Sequence, residues 1–187
     1  MRGALLCHFG ALGVRGESLP FTDEVNALKA KLYARALPLL SPPGERVEIP
    51  FAGASFPGTL RKPAGAARPA LVMLIPGAGS TKEEFNALEG EFLRRGVATL
   101  SIDGPGQGEG VALGGVPHDY ERPVAAAIDH LEKRKDVDAA RVGIFGRSLG
   151  GEWPLRRPGG CRQQTGGPPP PQTPAARSPR CLPSGSG

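Results

Sequence analysis

The chain has 187 residues, 22% of them charged, with 28 Gly, 21 Pro and a formal net charge of +5. That length suffices for one domain with a real core. Residues 1–151 carry 18 Lys+Arg against 17 Asp+Glu, whereas residues 152–187 carry five Arg against one Glu. The basic excess therefore belongs to the tail and marks no nucleic-acid-binding face. No apolar run reaches membrane-span length, which argues against a membrane protein. Cys7, Cys161 and Cys181 show no metal-type spacing and no paired framework, as expected of a reduced, cytoplasmic chain. The apolar start is broken by His8 and by glycines and does not read as a signal peptide.

Residues 1–22 are weakly patterned. From Asp23 to Leu37, Val25, Leu28, Leu32 and Ala36 recur at helical spacing, and Pro38 with S-P-P-G at 41–44 stops the helix. A lone amphipathic helix must pack on something else. Val47 to Phe51 alternates like a half-buried strand, and with Phe56 to Arg61 it reads as a hairpin at a sheet edge, where prolines are tolerated. Ala70 to Ile75 is a continuous apolar run, as in a strand buried on both faces of a parallel sheet. Ser80 with Glu83 reads as a capping box opening a helix with a Phe85, Leu88, Phe92 stripe, which ends at Gly96. Val97 to Ile102 is a second buried strand. After Asp103 and a glycine-rich loop comes a helix over 120–135, with Val124, Ile128 and Leu131 inward. Val142 to Phe145 reads as a third buried strand.

Strands alternating with helices imply right-handed crossovers and a parallel sheet covered by helices, so the fold class is α/β. In such sheets the functional loops lie at the carboxyl ends of the strands, here 76–81, 103–110 and 146–150. The two glycine-rich loops fail as nucleotide sites. G-A-G-S-T-K lacks the P-loop glycine before its lysine, and Glu109 stands where G-x-G-x-x-G needs glycine.

The third loop carries the chemistry. Gly146-Arg147-Ser148-Leu149-Gly150 fits G-x-S-x-G at a strand-to-helix turn, which makes Ser148 the candidate nucleophile and Gly146 and Gly150 the elbow glycines. An oxyanion hole needs two backbone N–H donors already in place. Leu149 would supply one, and Ala78 or Gly79 the other. Asp103 ends a strand and could reach the site, but such a residue more often caps a turn. Lys82 reads as a solvated first-turn residue and His130 as an exposed helix residue.

The strand–P-G-A-G-S-T-K-E-E-F–helix unit, the D-G-P-G-Q-G-E loop, D-Y-E-R-P-V and G-R-S-L-G-G together resemble the α/β-hydrolase superfamily, closest to bacterial serine hydrolases with an N-terminal helical cap. The resemblance covers roughly residues 20–151. It implies residues 1–44 as a cap-helix remnant and residues 45–151 as the N-terminal half of the hydrolase sheet; the Pro/Gly/Arg density of 152–187 reads as a disordered tail. It also implies hydrolysis of an ester, an amide or a ketone-adjacent C–C bond in a small-molecule substrate, without cofactor or metal.

Serine needs a histidine to take its proton and an acid to orient that histidine, in the chain order Ser, acid, His. No histidine follows Ser148, and Glu152 is the only carboxylate side chain after it. Composition changes abruptly at Gly151, in mid-motif. Pro, Arg and Gly codons are what an alanine-rich helix in G+C-rich DNA becomes when read out of frame, so a frameshifted and inactive hydrolase half is expected. The other reading is a non-catalytic interaction protein with a proline-rich tail. Nothing in the residues fixes an oligomeric state.

Overall fold

The computed structural model describes residues 1–12, 20–77 and 79–152. The tail expected to be disordered therefore lies outside the described residues from position 153 onward. Five strands form one sheet in the order β1-β2-β4-β3-β5. Strands β1 (Gly44–Phe51) and β2 (Ala54–Arg61) make the expected hairpin. Its turn places Ala52 and Gly53 at φ 51 and 80. Strand β2 runs antiparallel to β4 (Ala98–Ile102), while β3 (Leu71–Ile75) is parallel to β4 on one side and to β5 (Val142–Gly146) on the other. The sheet is thus a parallel three-strand unit extended by an antiparallel hairpin. Met73 is at its centre, in register with Leu100 and with Ile144.

Side chains alternate across a strand, and β4 shows what each face requires. Ala98, Leu100 and Ile102 belong to an apolar core with Leu71, Met73 and Ile75 of β3, and α4 (Glu121–Glu132) contributes Val124, Ala127 and Leu131 to it. Burying a side chain such as Leu100 stabilises the fold by about 2 kcal/mol. Thr99 and Ser101 occupy the alternate positions and are just as buried. There Glu89 of α3 (Asn86–Arg94) accepts from Ser101 Oγ and pairs with Arg61 Nη1 at 3.1 Å. The buried face of this helix is therefore Phe85, Glu89 and Leu93, turned by one position from the expected apolar stripe. A buried carboxylate with two partners displaces the purely apolar solution. Gly96, at φ 76, ends the helix as expected.

Residues 1–12 are more regular than their pattern suggests. They form α1 (Arg2–Leu12), which packs on α2 (Pro20–Ala36) through a small cluster of Ala4, Tyr33 and Leu37. Strand β5 differs from expectation in burial. Among the described residues it pairs on one side only, and Ile144 is 39% and Phe145 41% exposed at the sheet edge. No described helix is long and apolar enough to cross a membrane.

Candidate active site

Strand β5 passes into α5 (Leu149–Glu152) through a turn that only small residues permit. A Cβ on Gly146 would lie 2.0 Å from the Gly150 carbonyl oxygen, and one on Gly150 would lie 2.4 Å from that of Ile75. The same approach ties the turn to β3, since Arg147 N–H donates to Ile75 O at 3.1 Å. Gly150 and Gly151 return their N–H groups to Arg147 O and Ser148 O at 3.0 and 2.8 Å. Between these anchors Ser148 is exposed and held at φ 53, a left-handed conformation that typically costs a non-glycine residue about 1–3 kcal/mol. Its successor Leu149 is the first residue of α5, and helix first turns leave their N–H groups without intrahelical partners.

The loop after β3 comes up against this turn. A Cβ on Gly77 would sit 3.0 Å from Arg147 O, 3.1 Å from Ser148 Cβ and 3.7 Å from Ser148 Oγ. Nothing larger than glycine fits there without moving the serine. Gly79 follows at φ 71 with open space where its Cβ would be, and Ala78 lies outside the described residues. Ser148, Leu149, Gly77 and Gly79 therefore belong to two adjoining loops at the carboxyl ends of β5 and β3.

The loop after β4 supports the second of these. Gln107, 2% exposed, donates from Nε2 to Pro76 O at 2.7 Å and to Gly77 O at 3.2 Å. Its Oε1 accepts the hydroxyl of the fully buried Tyr120. Burial, reinforced by Asp103, pushes that phenol well above its usual range, so it remains a donor. Gly104 is what admits the ring, because a Cβ there would meet Tyr120 Oη at 2.1 Å.

Sequence reasoning missed the electrostatic centre. Lys82 is 2% exposed, not solvated. Its ammonium uses three donors on Glu83 at 2.7 Å, Asp103 at 2.8 Å and Glu109 at 2.6 Å. Burial alone would lower its pKa, but the three carboxylates outweigh burial and raise it. Lys29 stands 3.9 Å from Glu83 and Arg46 2.7 Å from Glu109, which makes three cations against three carboxylates. Burial lowers the pKa of Lys29, against the pull of Glu83 and Asp103. The carboxylate oxygens of Glu83, Asp103 and Glu109 lie within 4.8 Å of one another, close enough to ligate a cation, but the Lys82 ammonium occupies their point of convergence. Asp103 also accepts the backbone N–H of Lys82 at 2.7 Å. It thus caps the 3₁₀ turn Lys82–Phe85 in place of the expected Ser80–Glu83 box. Local spacing carries no trace of partners 21 and 27 positions away.

His8 of α1 is also buried beside this turn, with Nδ1 3.1 Å from Thr81 Oγ1 and Nε2 3.5 Å from Glu84, which pairs with Arg147 at 3.2 Å. His118 is exposed, and His130 is partly buried on α4.

Comparison with known proteins follows the same outline. Residues 72–178 match the family described as Alpha/beta hydrolase family. The chain is 42% identical over 130 residues to a 2,6-dihydropseudooxynicotine hydrolase of Paenarthrobacter nicotinovorans, covering 70% of this chain and 35% of that protein. It is 32% identical over 168 residues to the hydrolase pyiE of Pyricularia grisea, covering 78% and 36%. Relatives are therefore not confined to bacteria. The crystal structure of a 2,6-dihydroxy-pseudo-oxynicotine hydrolase superposes with a TM-score of 0.75 at 37% identity, over 81% of this chain and 42% of that one. AbyA5, at 20% identity and a TM-score of 0.64, shares the fold. The chain spans about a third of the length of the curated relatives it matches.

Proposed function

The chain belongs to the alpha/beta hydrolase family, and from that premise we propose that it is the nucleophile-bearing half of a serine hydrolase acting on a small-molecule ester, amide or ketone-adjacent C–C bond. Ser148 Oγ adds to the substrate carbonyl carbon, and the carbonyl π electrons move onto oxygen. The N–H groups of Leu149 and of Ala78 or Gly79 receive that oxyanion. Collapse expels the leaving group and leaves an acyl-enzyme, which water then hydrolyses.

The observation that best supports this reading is the left-handed, exposed Ser148 with Gly77 packed against it, an arrangement that brings a hydroxyl beside a loop of backbone donors. The Oγ proton needs a base, and none of the three histidines follows Ser148. On this reading the acid and histidine come from polypeptide beyond these residues, and the 187-residue chain alone is inactive. Residues 1–44 act as part of a cap, and the change at Gly151 records a shifted reading frame. Translation of the other two frames beyond the Gly151 codon then yields an apolar α/β pattern with an Asp and a later His.

The decisive experiment joins residues 1–151 to the part of the Paenarthrobacter relative that follows its aligned segment, and exposes this chimera and the natural chain to a fluorophosphonate. The expected result is a Ser148 adduct in the chimera, absent from the Ser148→Ala form and from the natural chain. A folded chimera without an adduct overturns the proposal. It would leave the interaction-protein reading, which predicts tail-dependent binding to a proline-recognising domain.

A further inference from the structure

We infer that Gln107 is the positioning residue of the candidate oxyanion loop, holding through two carbonyl groups the Pro76–Gly77 backbone where it packs against Ser148. The inference rests on the serine-hydrolase reading for its purpose and on hydrogen-bond geometry for its substance.

A loop that offers backbone donors to a developing charge must hold them in place before the charge appears. Gly77 allows close approach and Gly79 a positive φ, but neither supplies rigidity of its own. Their orientation has to be imposed from outside the loop. A trans peptide points its N–H opposite to its C=O, so fixing the carbonyl fixes the donor. Gln107 does this for the Gly77 N–H by donating to Pro76 O at 2.7 Å, and it also holds Gly77 O at 3.2 Å. The Gly77 carbonyl takes a second bond from Ser80 N–H at 3.2 Å.

The amide must face the right way round for this to work. Only its NH₂ end can donate to the two carbonyls, and Tyr120, as a hydroxyl donor, selects the oxygen end for itself. Tyr120 comes from the start of α4, so the orientation of the loop after β3 is set jointly by β4's loop and by α4. Gln107 is 2% exposed and Tyr120 fully buried, so water cannot substitute for either partner. Gln107 does not touch the reacting atoms; it acts through the loop.

The test uses the full chain and hydrogen exchange of the 77–81 amides, read as protection factors from about pH 4.5 to about pH 8 for wild type, Gln107→Glu and Gln107→Ala. Above its pKa the introduced carboxylate faces two carbonyl oxygens without a proton to share. Once protonated it donates to Pro76 O while its other oxygen still accepts from Tyr120. The titratable groups nearby are Tyr120 from α4, Asp103 and Glu109 from the same loop, and Lys82 from the facing turn; the wild-type profile subtracts their contribution.

In Gln107→Glu we expect loop protection to fall about tenfold at the alkaline end and to return at the acid end, with β3 and β4 amides unchanged. Gln107→Ala should lose protection at every pH. Loop protection equal to wild type in both variants overturns the inference, as does a Gln107→Glu loss that no acid restores. Exchange needs no turnover, so absence of a Ser148 adduct in the chimera would sink the hydrolase reading and leave this result to stand or fall by itself.

Discussion

Lys82→Met is the most searching single change, because it keeps a long unbranched side chain, one atom shorter, and removes the charge at the centre of the cluster. Three carboxylates converge within 2.8 Å of that ammonium, and Glu83 and Asp103 are completely buried. Without it Lys29 and Arg46 remain at the periphery, and Asp103 keeps only backbone donors, the N–H groups of residue 82 and of Glu109. The cheapest repair is for Asp103 to take up a proton. Protonating a carboxyl of ordinary pKa near 3.9 at pH 7 costs about 4 kcal/mol. That figure agrees with the roughly 3–5 kcal/mol expected for breaking a buried pair from one side. It also has a direction in pH. In the variant the folded state binds a proton that the unfolded chain does not, so stability rises as pH falls. By pH 5 the same repair costs only about 1.5 kcal/mol. Urea denaturation of wild type and variant at both pH values measures the two differences, provided the m-values agree. A loss below about 1 kcal/mol at pH 7, or a loss equal at the two pH values, refutes the buried-cluster reasoning.

Two further expectations concern the elbow and the polar face of the sheet. Gly146→Ala places a methyl 2.0 Å from a backbone oxygen that cannot rotate away, and should cost about 2 kcal/mol or more in urea midpoint analysis. Gly53→Ala in the hairpin meets nothing within 4 Å and should cost about 1 kcal/mol from its φ alone; equal losses at the two sites would contradict the close-approach explanation. Burial pushes the Glu89 carboxyl up, partly opposed by Ser101 and Arg61, so the folded state takes its proton at a higher pH than the unfolded chain does. The contribution of this group to stability therefore grows as pH falls through that raised value towards the ordinary range near about 4.3. Glu89→Gln should abolish that slope and leave Arg61 buried without a counter-charge, costing about 3 kcal/mol at pH 7. A stability-versus-pH curve parallel to wild type would count against it.

What the sequence disclosed depended on how local the cause was. β3 and β4 were legible because a continuous apolar run has few other uses, and the sharp turn at Ser148 because a strand and a glycine pair sit within a few positions. α1 was not legible, since its contacts are made by a helix beginning at Pro20 and by the turn that holds Thr81. The α3 stripe was off by one position because Glu89 is buried only by virtue of Arg61 and Ser101, which lie on other elements. Lys82 was misassigned for the same reason. One clue was available: an aspartate ending one strand and a lysine just after the neighbouring strand point to the same sheet edge. β5 forms where the sequence placed it and differs only in burial, because hydrophobicity reports what a strand can bury against and not what covers it.

The Lys82 cluster also limits how this protein can change over generations. Three cations and three carboxylates drawn from four separate stretches of chain balance one another, and the balance has no stable partial version. Arginine cannot stand in for Lys82, because a planar fork does not meet three converging carboxylates as a compact ammonium does. A mutation at any one member leaves a buried imbalance until a second mutation answers it elsewhere. The charged knot is thus inherited whole or replaced in matched steps.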